Sequence, residues 1–215
     1  AVVTLSTTIA SVITIGHATV AAPHLAVASG SALIVIGNNA VEFNIDAARS
    51  GEVYGNIDFF DGAHRLTAAS ANSLKFKSGA TFTANTGFNG NAFGITNLNS
   101  VVFESGATYI QKTGGNPFGA AAPNAVSVFN AGSIFRFQRA TLPPSLAGRV
   151  FGHLYIEATV NFGGIGSARD CTIQNDLKLS SADFWFHPES GSHTGNFKIY
   201  GDIICEGTAY INIVS

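Results

Sequence analysis

Charge is what this chain has least of. Only 11% of its 215 residues are Asp, Glu, Lys or Arg, against roughly 25% in ordinary soluble domains. Eleven basic residues stand against thirteen acidic ones. That leaves no basic field for nucleic acid and no acidic tail. The apolar stretch near the start is interrupted by Thr, His and Pro, so no membrane span is read from it. No window carries a sustained helical stripe, and no segment offers a helix with both caps. Methionine is absent altogether. A missing initiator is read as a mature or excised segment, with any signal peptide gone. Also missing is any Asp-rich glycine nonapeptide, which excludes the calcium-loading type of β-roll.

What is abundant is phenylalanine, 17 in all, with Gly, Asn, Ser and Thr supplying the polarity. The phenylalanines fall in a phrase that recurs: FKSGATF at Phe76–Phe82, FESGATY at Phe103–Tyr109 and FNAGSIF at Phe129–Phe135. The leading rings are 27 and 26 residues apart. A fixed period of this size marks a repeat architecture. Weaker echoes extend it to the series Val27, Val53, Phe76, Phe103, Phe129, Leu154, Leu179 and Cys205.

Within each period, short runs alternate apolar and polar, as in Leu74-Lys75-Phe76-Lys77, Ile134-Phe135-Arg136-Phe137 and Leu177-Lys178-Leu179. Such alternation, broken by Gly and Asn, signals half-buried strands. The β-branched run Ser6–Ile13 also reads as strand. A coil of about 25 residues holds three short strands, and stacked coils place equivalent strands about 4.8 Å apart. The expected fold is therefore all-β: a right-handed parallel β-solenoid of about eight coils, with Phe76, Phe103 and Phe129 in one inward column. An antiparallel β-sandwich is the alternative that short alternating strands permit. Residues 1–215 read as one domain, regular over 73–215 and less so over 1–72. The final strand, read as Tyr210–Val214, has no polar cap. The segment is read as part of something longer, or as docked to a neighbour.

Two irregular stretches share a phase. TGFNGNAFG at Thr86–Gly94 and TGGNPFG at Thr113–Gly119 both end in Asn-x-Phe-Gly. They are expected as stacked turns on one edge. Phe88, Asn91, Phe93, Asn116 and Phe118 are the candidate glycan-contact residues if the rings face outward. The competing reading tucks the rings into the core, and turn chemistry favours it. Ala140–Gly148, with Pro143-Pro144, is expected to bulge from a coil edge.

Candidate chemistry is thin. Asp58, Asp61, His64 and Arg65 form the densest charged group and read as a solvated turn. Arg169-Asp170 and Asp183 have no acid partner at a coil's spacing, so no catalytic pair is assigned. His187 and His193, with Glu189 between them, offer two zinc-type ligands, yet a polar turn is the stronger reading. No metal or cofactor is expected. Thr81 and Thr108 begin a column of the sort that orders ice, and it ends at Ile134. Cys171 and Cys205 differ by 34 residues and share no coil phase; two buried, unpaired thiols are favoured over a bridge.

Phrases such as GDIICEGTAYINI, NDLKLSSADFWF and FKSGATFTANTGF resemble the low-charge repeats of very large bacterial surface adhesins. The resemblance is closest to gliding-adhesin-like substrates of the type IX secretion system and runs from about Ser73 onward. It implies a secreted, cell-surface location and a structural or adhesive role with no chemistry of its own. It also implies partners of three kinds: flanking coils or a partner subunit, surface glycans, and secretion machinery. A polysaccharide-binding or polysaccharide-degrading β-helix is the alternative function.

Overall fold

Strands of two to five residues with one apolar side need a covering layer on that side and a pairing partner at each edge. A computed structural model shows how the chain meets both needs. It describes residues 1–16, 21–139, 141, 144–158, 161–163, 169–185 and 195–212. Every regular element among them is a strand. Every strand pairing is parallel, which excludes the antiparallel sandwich. The sheets stack as a β-solenoid of about seven turns, roughly 26 residues apart.

One face is continuous. Its nine strands are Val2–Ser6, Ala32–Ile36, Asn56–Phe59, Thr81–Ala84, Thr108–Gln111, Ile134–Phe137, His153–Ile156, Leu177–Ser180 and Ile203–Glu206. Alternate side chains point inward and pair in register: Leu33, Ile57, Phe82, Tyr109, Phe135, Leu154 and Leu177 form one column. A second face runs through Leu25–Val27, Gly51–Val53, Leu74–Phe76, Val101–Phe103 and Ser127–Phe129, and its later strands Val150–Phe151, Cys171–Ile173 and Phe197–Ile199 form a separate sheet. Among the described residues, a third face has strands only towards the ends: Ser11–Ile15, Val41–Ile45 and Arg65–Ala68 on one side, Asn161–Gly163, Asp183–Trp185 and Tyr210–Asn212 on the other. The first seventy residues therefore belong to the same stack. Their coils measure 30 and 24 residues between paired positions, which hides the period from sequence.

The expected aromatic column is present. Phe76 and Phe103 stack with centroids 4.5 Å apart, and Phe103 and Phe129 at 4.9 Å. Phe82, Tyr109 and Phe135 form a parallel column spaced 5.6 and 5.4 Å. The two columns meet edge to face, as between Phe103 and Tyr109, the arrangement that ring quadrupoles favour. In-register stacking makes this automatic, because like lies above like in every coil.

The corner between the second and first faces is the Ser-Gly-Ala phrase. In Lys77–Ala80 and Glu104–Ala107 the fourth N–H donates to the first carbonyl at 2.9 Å. Gly79 and Gly106 hold φ near +80° at the third position, as a type II turn requires. The turns are also tied to one another, Gly79 N–H to Gly106 O and Gly106 N–H to Gly132 O.

Two readings change here. The series from Val27 is in register through Phe129, but Leu154 lies on the first face opposite Phe135. Phe151 is the ring that follows Phe129, at 6.4 Å. The slip arises because the four-residue corner shrinks to Gly152 alone. A Cβ there would lie 2.3 Å from Ser133 O, so only glycine lets the short corner nest on the long one. Ser6–Ile13 is likewise broken. Thr7–Ala10 forms a corner, in which Thr7 Oγ1 both accepts from Ile9 N–H and donates to Ile9 O. Closing the coil overrides β-propensity. Within Ala140–Gly148, the described residues Thr141 and 144–148 lie outside strands, and Leu146 and Ala147 are buried in the core.

Candidate functional site

The Asn-x-Phe-Gly turns fill the gap in the third face. Phe88, Phe93 and Phe118 are each about 2% exposed. Phe93 lies 4.9 Å from Phe82, and Phe118 lies 5.4 Å from Phe151. These rings plug the interior where third-face strands are missing, so they offer no outward stacking platform. The core-tucked reading is the one the structure shows. Asn116 Oδ1 accepts from Phe118 and Gly119 N–H at 3.1 and 3.2 Å, an Asx-type turn. Asn91 accepts from Gly94 N–H through its carbonyl. Its side-chain oxygen would lie 2.1 Å from a Cβ at Gly115, so the two turns stack as expected. Both asparagines are half-buried and shape turns.

Above these turns lies a shallow cleft of about 660 Å³ that includes Asn89, Lys112, Thr113 and Arg139. Lys112 Nζ donates to Asn85 Oδ1 at 3.4 Å, and Arg139 donates to Gly114 O.

The Asp58–Arg65 group does not act as a unit. Asp58 sits on the outer side of the first face, in register with Thr83, and Asp61 is an exposed turn residue with φ 57°. His64 is fully buried. Its Nδ1 accepts from Val41 N–H at 3.1 Å and its Nε2 donates to Phe60 O at 2.9 Å. Burial holds its pKa below the usual value. It is a satisfied core histidine, which the charged neighbours disguised in sequence.

Five further acids bridge adjacent coils. Lys77 pairs with both Glu52 and Glu104, Arg136 with Glu157, Lys178 with Glu206, and Lys198 with Asp170. The Lys198 ammonium holds the Asp170 carboxyl below the usual carboxylate range. Among the described residues, no three His, Cys, Asp or Glu side chains gather as metal ligands would. His187 and His193 lie outside the described residues. Asp183 pairs through its backbone with Tyr210. Thr108 pairs with Ile134, where the threonine column ends. Both cysteines are free. Cys171 is buried as expected, but Cys205 is exposed, because it lies on the last strand of its face.

Among the described residues, both ends of the stack carry strands with one unpaired edge. At one end, Val2–Ser6 and Ser11–Ile15 pair on one edge only among the described residues. Their inward positions Val3 and Ile13 are 52% and 40% exposed. At the other, the one described partner of Ile203–Glu206 is Leu177–Ser180, and inward-pointing Ile203 is 48% exposed. No helix of the described residues is long and apolar enough to cross a membrane. Compared with known proteins, the chain matches no family model, no curated protein and no solved structure.

Proposed function

We propose that the chain is a structural, adhesive module of a secreted bacterial surface protein, working by coil-on-coil assembly through its ends. The observation that carries this reading is the pair of uncovered ends. Each presents free parallel strand edges and, behind them, side chains of the inward columns. A strand edge of this kind takes up another strand through main-chain hydrogen bonds. A further parallel coil, from flanking chain or from a second copy, satisfies both the edge and the apolar column. The two ends differ, so copies joined end to end are related head to tail, and such contacts build open filaments.

The distribution of charge supports a scaffold over a polysaccharide-degrading enzyme. Among the described residues, Glu52, Glu104, Glu157, Asp170 and Glu206 are spent as bridges to a Lys or Arg of a neighbouring coil. The low charge and the Asn, Ser and Thr surface fit the secreted adhesins that the repeats resemble.

Sedimentation velocity and negative-stain microscopy of the 215-residue protein test the assembly. Rods longer than one molecule, growing with concentration, are the expected result. Ile203→Lys with Cys205→Lys places charge at the end of an inward column and is expected to return the protein to monomers. A wild type that stays monomeric at every concentration and adds to no flanking coil overturns the reading. So does specific depolymerisation of a polysaccharide by the purified protein. Antibody labelling of intact cells of the source bacterium tests the surface location.

A further inference from the structure

Arg149 is an unusual residue for so uncharged a chain. It is only 6% exposed, and among the described residues no carboxylate pairs with it. Its guanidinium lies over the Phe118 ring, 4.4 Å from the centroid. Two of its N–H groups donate to backbone carbonyls, NH1 to Asn124 O at 2.6 Å and NH2 to Ala120 O at 2.7 Å. Its Nε is buried with no hydrogen-bond partner. Burial lowers the Arg149 pKa, and another cation, Arg169, adds to the lowering. Arg169 is itself turned onto Ala122 O.

A buried charge without a counter-charge is costly, and an unpaired buried donor adds to the cost. Two carbonyls offset part of this and leave the net positive charge in place. Beside the guanidinium is a cavity of about 270 Å³ on the outer side of the second face. Its polar lining includes the amide residues Asn99, Asn130 and Gln174, and its apolar lining includes Pro123, Val128 and Val150. That volume falls just under the range of about 300–1,000 Å³ for drug-sized sites, so the occupant is one ring with its substituents. NH1 and NH2 each use one N–H on a carbonyl and keep a second for a charge-assisted bond to a carboxylate, and one uncompensated positive charge calls for one negative charge. Amides suit hydroxyl groups, which both donate and accept, and the apolar walls suit the C–H faces of a sugar ring.

We propose that this cavity binds a single hexuronate unit, with Arg149 holding the carboxylate and Asn99, Asn130 and Gln174 contacting the hydroxyls. The site stands apart from the solenoid ends, so it is independent of end-to-end assembly.

Isothermal titration calorimetry of the 215-residue protein with glucuronate and with galacturonate tests the proposal, alongside glucose, acetate and inorganic phosphate. At least one hexuronate is expected to bind with a saturable heat. Glucose, acetate and phosphate are expected to be weaker by about tenfold or more, the loss that accompanies one charge-assisted hydrogen bond. Arg149→Gln is expected to lose binding by a similar factor. That variant also releases the carbonyls of Ala120 and Asn124, so Val128→Phe serves as a second variant. It fills the cavity mouth, leaves Arg149 in place and is expected to abolish binding. Failure of both hexuronates to bind overturns the assignment. So does binding of glucose, acetate or phosphate as tight as that of a hexuronate, or unchanged binding in Val128→Phe.

Discussion

Replacing Phe103 with alanine tests the stacked-ring core directly. The ring is fully buried on the second face, on the strand that leads into Thr108–Gln111 in the middle of the stack. It has stacked neighbours above and below, Phe76 at 4.5 Å and Phe129 at 4.9 Å, and edge contacts with Phe93 and Tyr109 at 5.8 Å each. Deleting a buried phenylalanine side chain costs about 3–5 kcal/mol. Aromatic pairs contribute about 0.5–1.5 kcal/mol each beyond area, which places this site near the upper end. Relaxation cannot close the hole, since register holds the strands on both sides. At about 2–4 °C per kcal/mol for a chain of this size, a loss of about 4 kcal/mol lowers the melting midpoint by ~8–16 °C. The assay is differential scanning calorimetry with urea unfolding, using Ile203→Ala as the comparison. Ile203 is 48% exposed on an end coil, and its truncation is expected to cost about 1 kcal/mol. A Phe103→Ala midpoint within about 2 °C of wild type, or no lower than that of Ile203→Ala, refutes the reasoning.

Gly152→Ala is expected to destabilise by about 1–3 kcal/mol, because the added Cβ meets Ser133 O at 2.3 Å and the short corner must move; urea unfolding reads this. Acid is expected to weaken the fold through His64, whose folded pKa lies below the ordinary 6.5. Its contribution is complete above about pH 6.5 and falls away as the pH drops towards the folded value, because the unfolded chain takes up the proton first. Melting scans from pH 7 to 5 are expected to show a decline that is flatter in His64→Gln. A thiol reagent is expected to label exposed Cys205 in the native protein and Cys171 only on unfolding, since burial pushes the Cys171 thiol up to about 12.

The fold was legible where corners have equal length. Phe76, Phe103 and Phe129 each precede a four-residue corner with glycine third, so a fixed step in sequence follows one column of the stack. Beyond Phe129 the corner collapses to Gly152, and a fixed period then steps from one face to another. That is why Leu154 was placed in the wrong column. The same variation hid the early coils. The site residues were less legible because a ring in an Asn-x-Phe-Gly turn looks the same whether it faces water or the core. Only the missing third-face strands, which leave an interior to be filled, decide the matter for Phe88, Phe93 and Phe118. Cys205 misled for the opposite reason: it occupies an inward position on the last described strand of its face. Arg149 carried no sequence signal, because its burial depends on a carbonyl pair contributed by the preceding coil.

The direction of the hydrogen-bond ladders has a mechanical consequence. Strands run around the rod, so their main-chain bonds lie along its axis, joining each coil to the next. Tension applied between the two ends loads these interfaces in series, and each carries the full force. Resistance is then set by the weakest junction, and the aromatic stacks cannot share load with the ends. Extension is expected to proceed by peeling from a terminal coil, one turn at a time, with the Phe76–Phe129 segment yielding last.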